Sequence, residues 1–258
     1  MSTLPVAYLL AAIVAAPRGD TTAESAEARL SSLAQAWQGE RELKLDEPVR
    51  IKVVVHGEGG GTWFLDLSNA PRPALRRGAP DDWDLAFALD CATLGRIVGG
   101  ELNALTAMGQ ARSSDPIPLR PDISDRFAKR VDAALLFRRI AFHFWSPGFP
   151  EVVRFQERAA RLVHGANAVV LFYDRDFRSA WFQVKPGMHM NEAKPERANE
   201  FPNAIIVVRG SLQARLDGTE RTLREGEAVL IPAGVEHELW ARPDQGAELI
   251  WLAFGKGA

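Results

Sequence analysis

The chain is poor in several things, and each shortage excludes something. One cysteine, Cys91, stands among 258 residues. No disulfide can form within the chain, which fits a reducing compartment, and a cytoplasmic location is expected. Basic residues are not in excess. The 31 Lys and Arg face 33 Asp and Glu, a net charge of −2, which argues against nucleic acid or an anionic membrane surface as a partner. The apolar run from Leu4 to Ala16 falls short of the roughly 20 residues that cross a bilayer. It also lacks the preceding Lys or Arg of a secretory leader. It reads as a buried first helix ending near Pro17, and no transmembrane segment is expected. Catalytic motifs are missing too: there is no Gly-x-Ser-x-Gly elbow and no His-Glu-x-x-His.

What is present is ordinary globular material, 47% apolar and 25% charged, long enough for one or two domains. "TTAESAEARLSSLAQAWQG" has helix-start residues, helical spacing of Ala26, Leu30, Leu33 and Trp37, and a closing Gly39. Ile51, Val53 and Val55 alternate, as do Trp63, Leu65 and Leu67, with the Gly57–Gly61 tract between them. This is a β-hairpin. The glycines are its turn, since no Lys–Ser/Thr pair or helix start follows to make a phosphate cradle. A strand with Leu85, Phe87 and Leu89 comes next, then helices near 92–98 and 103–108 and an extended "GQARSSD". Cys91, at the strand–helix junction, has no base beside it and reads as a small apolar residue.

Over about residues 20–120 the chain resembles the sterol carrier protein type-2 family. The resemblance rests on the glycine-turn hairpin, on Trp63, Asp66 and Leu67 of a Trp-x-x-Asp-Leu strand, and on Gly100, Leu102, Asn103 and Ala107 of a Gly-x-Leu-Asn/Asp-x-x-x-Ala helix start. It implies an α+β N-terminal domain, a mixed sheet with helices, enclosing a tunnel for lipids, sterols or acyl chains.

Pro116, Pro118 and Pro121 then interrupt regular structure. "RFAKRVDAALLFRRIAFHFW" reads as one buried helix. "EVVRFQERAARLVHG" reads as another, with Arg154, Arg158 and Arg161 on one solvated stripe, His164 at its end and Gly165 closing it. Residues 121–167 would thus be a helical connector between domains at 1–120 and 168–258. His56 reads as a surface residue and His143, among aromatics, as a packed one.

From Ala168 the apolar period becomes two, with turn signals between short strands and Asp217–Gly218 as the strongest of them. That describes an all-β sandwich or small barrel. "GEAVLIPAGVEHELW" is similar to the second motif of the cupin family, with Gly226, Pro232, Gly234 and His237 at its spacing, Ala241 in place of its last Asn, and Gly210 matching the end of the first motif. The resemblance covers about residues 168–254 and implies a cupin barrel, a double-stranded β-helix, with His237 pointing into the lumen. A metal-binding cupin would hold its ion with two first-motif histidines, a glutamate and this histidine. Here the glutamate slot holds Asn203 and the histidine slots hold Ala193 and Pro195. A shifted loop would bring His189 and Asn191 to one strand face, with Glu192, Glu196 or Glu200 as the carboxylate.

Two readings follow. In one, His237 is a lumen residue that hydrogen-bonds a ligand or a carboxylate. The protein is then a binding or carrier protein for a lipid, sterol-like or acyl ligand, with the barrel as accessory pocket or homodimer contact. In the other, His189 and His237 hold one divalent metal (Fe, Zn, Mn or Ni), and the barrel is an oxygenase or isomerase for a hydrophobic substrate.

Overall fold

The computed structural model describes residues 24–37, 45, 47–67, 73–78, 81–110, 115–146 and 152–258. The expected helix at Leu4–Ala16, and residues 111–114 of the expected extended stretch, lie outside them.

The N-terminal half is a mixed sheet with helices on it. Strands β1 (Val49–His56) and β2 (Gly61–Leu67) form the expected hairpin, with Val53 opposite Trp63. β3 is Arg76–Arg77, β4 is Leu85–Asp90 and β5 is Arg120–Ile123; the order is β3-β2-β1-β4-β5, with β1 and β4 parallel. The parallel pair needs a crossover. Inward residues of β1, β2 and β4 alternate with half-buried ones, the period-two pattern of a sheet with one covered face. Helix α1 (Ala26–Ala36) is capped by Ser25 and buries Leu30 and Leu33; α2 (Cys91–Val98) is capped by Asp90 and buries Leu94 and Ile97. Cys91 is half-buried, its thiol 3.3 Å from the carbonyl of Glu58. His56 is exposed, as expected.

The expected single helix from Arg126 to Trp145 is two: α4 (Asp125–Ala128) and α5 (Ala133–Phe144). α3 is the short Ala104–Met108. The break lets Phe127 and Leu136 both enter the N-terminal core while Val131 stays in solvent. Trp145 closes that core edge-on against Phe87, at 5.3 Å.

Among the described residues 152–165 the expected α-helix is not formed. Residues 152–155 have no regular structure, Glu157–Ala159 make one 3-10 turn, and β6 is Arg161–Val163. Val153, Phe155 and Ala159 pack against the outer face of the barrel, with Phe155 6.0 Å from the buried Trp181. The apolar residues serve a sheet face, so the helical spacing was coincidental. The three arginines therefore share no stripe. Arg161 reaches back to the carbonyls of Thr106, Gly109 and Pro116, and Arg154 to that of Gly100. His164 is at no helix end. It and Gly165 have φ of 50° and 85° and form the two-residue turn between β6 and β7 (Ala166–Asp174), where both positions need positive φ. The span expected as a connector is thus divided: 121–146 pack with the first sheet, 152–167 with the second.

The C-terminal half is a curled antiparallel sheet, the all-β barrel anticipated. It adds β8 (Phe177–Val184), β9 (His189–Met190), β10 (Asn203–Leu216), β11 (Thr219–Arg224), β12 (Ala228–Ile231), β13 (His237–Trp240) and β14 (Ala247–Phe254). The order is β6-β7-β8-β14-β10-β13-β9, with β11 and β12 also on β10. β10 closes the barrel: its first half pairs with β12 and β14, its second with β11 and β13, and a register shift after Val207 lies between. Gly210 sits at that bend, with φ of 75° and its missing Cβ position 2.3 Å from the carbonyl of Gly246. No side chain fits there.

The two halves meet along β7. β6 pairs only as far as Ala168, so β7 has a free edge beyond it. There Val170 donates its N–H to Thr106 Oγ1 (2.8 Å) and accepts at its carbonyl from Asn103 Nδ2 (2.7 Å). Asn103 also caps α3 through its Oδ1, so one side chain starts the helix and docks the barrel. Among the described residues no helix is long and apolar enough to cross a membrane.

Candidate functional site

Strand register decides where the two histidines go. Leu239 faces Met190 across β13 and β9, and Trp240 faces His189. Side chains alternate between faces. His237, Leu239 and Met190 line a cavity inside the barrel; His189, Glu238 and Trp240 take the other face. His189 Nε2 lies 3.3 Å from Glu238 Oε2 and its ring 5.4 Å from that of Trp240. Glu238 Oε1 is 3.2 Å from both Arg197 and Arg215. The expectation that both histidines share the lumen is corrected: the sequence placed His189 by a loop shift, and pairing with Trp240 turned it outward.

His237 is 2% exposed. The Pro232–Gly234 turn sets it, held by two bonds to the loop that precedes β10: Gly234 N–H to Asn199 O (2.8 Å) and His237 N–H to Arg197 O (2.7 Å). The loop from Asn191 to Pro202 is thus anchored over the second-motif turn. His237 Nδ1 is 3.1 Å from the carbonyl of Val235. That acceptor assigns the proton to Nδ1 and leaves Nε2 as a bare acceptor. Burial, with the nearby His164 adding to it, lowers the pKa of His237, against the Val235 hydrogen bond. Burial disfavours the charged form, so the ring is neutral at neutral pH.

The cavity measures about 540 Å³. Its walls are apolar: Ala168, Val170, Ala180, Phe182, Leu249 and Trp251 from the barrel, and Leu105, Met108, Phe137 and Ala141 from α3 and α5. At one end His237 is joined by His164, Asn191, Asn199 and Glu196, with His164 Nδ1 3.7 Å from Glu196 Oε2. Arg138, Tyr173, Arg178 and Phe201 also line it. The sequence reading missed His164, Arg138 and Arg178. The His164–Gly165 pair before an alternating run is a turn signal, but a closing glycine fits a helix end equally well. Nothing local marks the two arginines.

The donors do not fit a metal. Among the described residues no three His, Cys, Asp or Glu side chains converge on one point, and zinc needs at least three such ligands. Ala193 and Pro195 are exposed, as are Glu192 and Glu200. Asn203 is fully buried, and neither amide atom has a hydrogen-bond partner.

Residues 180–253 match the family described as Cupin domain. Similar solved structures include a Cupin 2 conserved barrel domain protein from Salinispora arenicola CNS-205 (21% identity, 41% of this chain and 88% of that one, TM-score 0.36). Others are the plu4264 protein from Photorhabdus luminescens (15%, 41% and 88%, 0.37) and the polyketide cyclase RemF from Streptomyces resistomycificus (22%, 40% and 79%, 0.34). No curated protein matches the chain. The chain therefore carries a cupin domain over 180–253. The family match does not reach the N-terminal half.

Proposed function

We propose that the protein is a binding or carrier protein for a hydrophobic small molecule, held in the barrel cavity beneath α3 and α5. The observation that carries this is the cavity itself. Its size, about 540 Å³, falls in the range of roughly 300–1,000 Å³ typical of small-molecule sites. Both halves of the chain build its walls, so the N-terminal half contributes a lid to the barrel. The few polar groups at its ends suit a ligand that is apolar along most of its length.

The test is calorimetry of the whole chain with fluorescent fatty-acid and sterol analogues, alongside Ala168→Phe, which fills the cavity. Binding should show a negative heat-capacity change, the mark of apolar burial, and should vanish in the folded variant. No binding by the unaltered chain, or undiminished binding by the filled one, would defeat the reading.

A further inference from the structure

We propose that the ligand is an amphipathic carboxylate whose head group is held by Arg178; this rests on the reading that the cavity binds a hydrophobic molecule. Arg178, near the start of β8, lines the cavity. Its guanidinium lies 4.7 Å from the Tyr173 ring centre and 5.4 Å from that of Phe201. Nη2 donates to the carbonyl of Gly257 at 3.3 Å. Nε is shielded from solvent and makes no hydrogen bond. No carboxylate among the described residues forms an ion pair with it.

A role as a clamp on Phe201 and the last residues explains the ring contacts. It does not explain why Nε of this half-buried side chain is shut off from solvent without an acceptor at the wall of an apolar cavity. A shielded donor left without a hydrogen bond is costly, and a ligand carboxylate would supply the acceptor. Guanidinium also matches carboxylate geometry, as a planar fork. Arg138 is the other cation on the wall, and its Nε likewise makes no hydrogen bond, but Asp174 at 3.5 Å already supplies its counter-charge, so it adds positive potential while Arg178 has no such partner among the described residues.

The opposite end sets the orientation. Tyr173 lies near the far end of β7, roughly 26 Å of extended chain at about 3.3 Å per residue from the His164–Gly165 turn. At the turn, Glu196 lines the cavity and repels an anion, and His237 offers an acceptor. A carboxylate head therefore goes to Arg178, and the chain lies along Ala180, Phe182 and Trp251.

The experiment titrates the full chain with decanoate and with 1-decanol at neutral pH, in the unaltered protein and in Arg178→Gln. Decanoate should bind at least about ten-fold more tightly than decanol, the value of one charged hydrogen-bonded contact. Arg178→Gln should bring decanoate down to the decanol affinity and leave decanol unchanged. Equal binding of the two by the unaltered protein overturns the inference while leaving the carrier reading intact; binding of neither defeats the carrier reading itself. A preference for decanoate that survives Arg178→Gln also overturns it. Should that variant fail to fold, Arg178→Met, which keeps the apolar stem without the charge, decides: a preference lost supports the assignment, and one unaffected overturns it.

Discussion

His189 and His237 lie on opposite faces of the sheet formed by β9 and β13, with His189 Nε2 3.3 Å from Glu238 Oε2 and His237 lining the cavity. The first consequence concerns Glu238, whose carboxylate is 5% exposed and meets Arg197 and Arg215 as well as His189. Removing one partner of a fully buried ion pair costs about 3–5 kcal/mol. Arg197 and Arg215 are 27% and 42% exposed, so solvent screens part of this, and Glu238→Ala should cost about 2 kcal/mol. Urea denaturation reads it. Ligand binding per folded molecule should not change, because the group faces away from the cavity; impaired binding would place Glu238 in the site.

A second concerns pH. The pKa of His237 is depressed in the folded state, so the unfolded chain binds the proton more readily. The stability tied to this ring is fully present above the unfolded value of about 6.5 and is lost as pH falls below it toward the folded value. Unfolding free energies of the unaltered chain and His237→Gln should run parallel from pH 8 down to about 6.5, and from there to pH 5 the unaltered chain should lose stability relative to the variant. Curves that stay parallel to pH 5 would mean that the imidazole is not held neutral by burial.

Gly165 packs its backbone against β9. Its φ is 85°, and a Cβ there would sit 2.0 Å from the carbonyl of His189. Gly187 has a similar φ of 79° with open space around it. Gly187→Ala should therefore cost about 1 kcal/mol, the backbone term alone, and Gly165→Ala at least about 2–3 kcal/mol more through the forced shift of β9. Equal losses in thermal denaturation would deny the close approach.

Asn203 has a buried amide with no partner for either atom. An unsatisfied buried polar group costs about 1–3 kcal/mol. Asn203→Leu, similar in volume and apolar, should raise the melting temperature, by an amount worth about 1 kcal/mol. A lower melting temperature would reveal that the amide is satisfied in solution, by water or by ligand.

The donor set makes an equally plain expectation for metals. Elemental analysis of the purified protein should find no stoichiometric iron, zinc, manganese or nickel, and chelation should leave melting temperature and ligand binding unchanged. A stoichiometric ion lost on chelation, together with a fall in stability, would restore the metalloenzyme reading.

Sequence by itself determined the local elements. Alternation in Ile51–Val55 and Trp63–Leu67, the capping side chains of Asp90 and Asn103, and the Asp217–Gly218 turn encode their structures within a few residues, because a strand face, a cap or a tight turn is a short-range demand. The Pro232–Gly234–His237 spacing implied the barrel turn and the inward histidine through its resemblance to the cupin motif. Tertiary structure decided the rest. Whether Val153 and Phe155 ride a helix or cover Trp181 depends on a sheet face formed by distant strands. Whether His189 joins His237 depends on its pairing with Trp240, 51 positions away, since a one-residue change of register reverses every side chain. The cavity belongs to neither half: α3 and α5 close it only because Asn103 and Thr106 dock on the free edge of β7. Arg178 became a candidate only there, where two aromatic rings flank it and no carboxylate among the described residues pairs with it, a setting that no stretch of sequence around it describes.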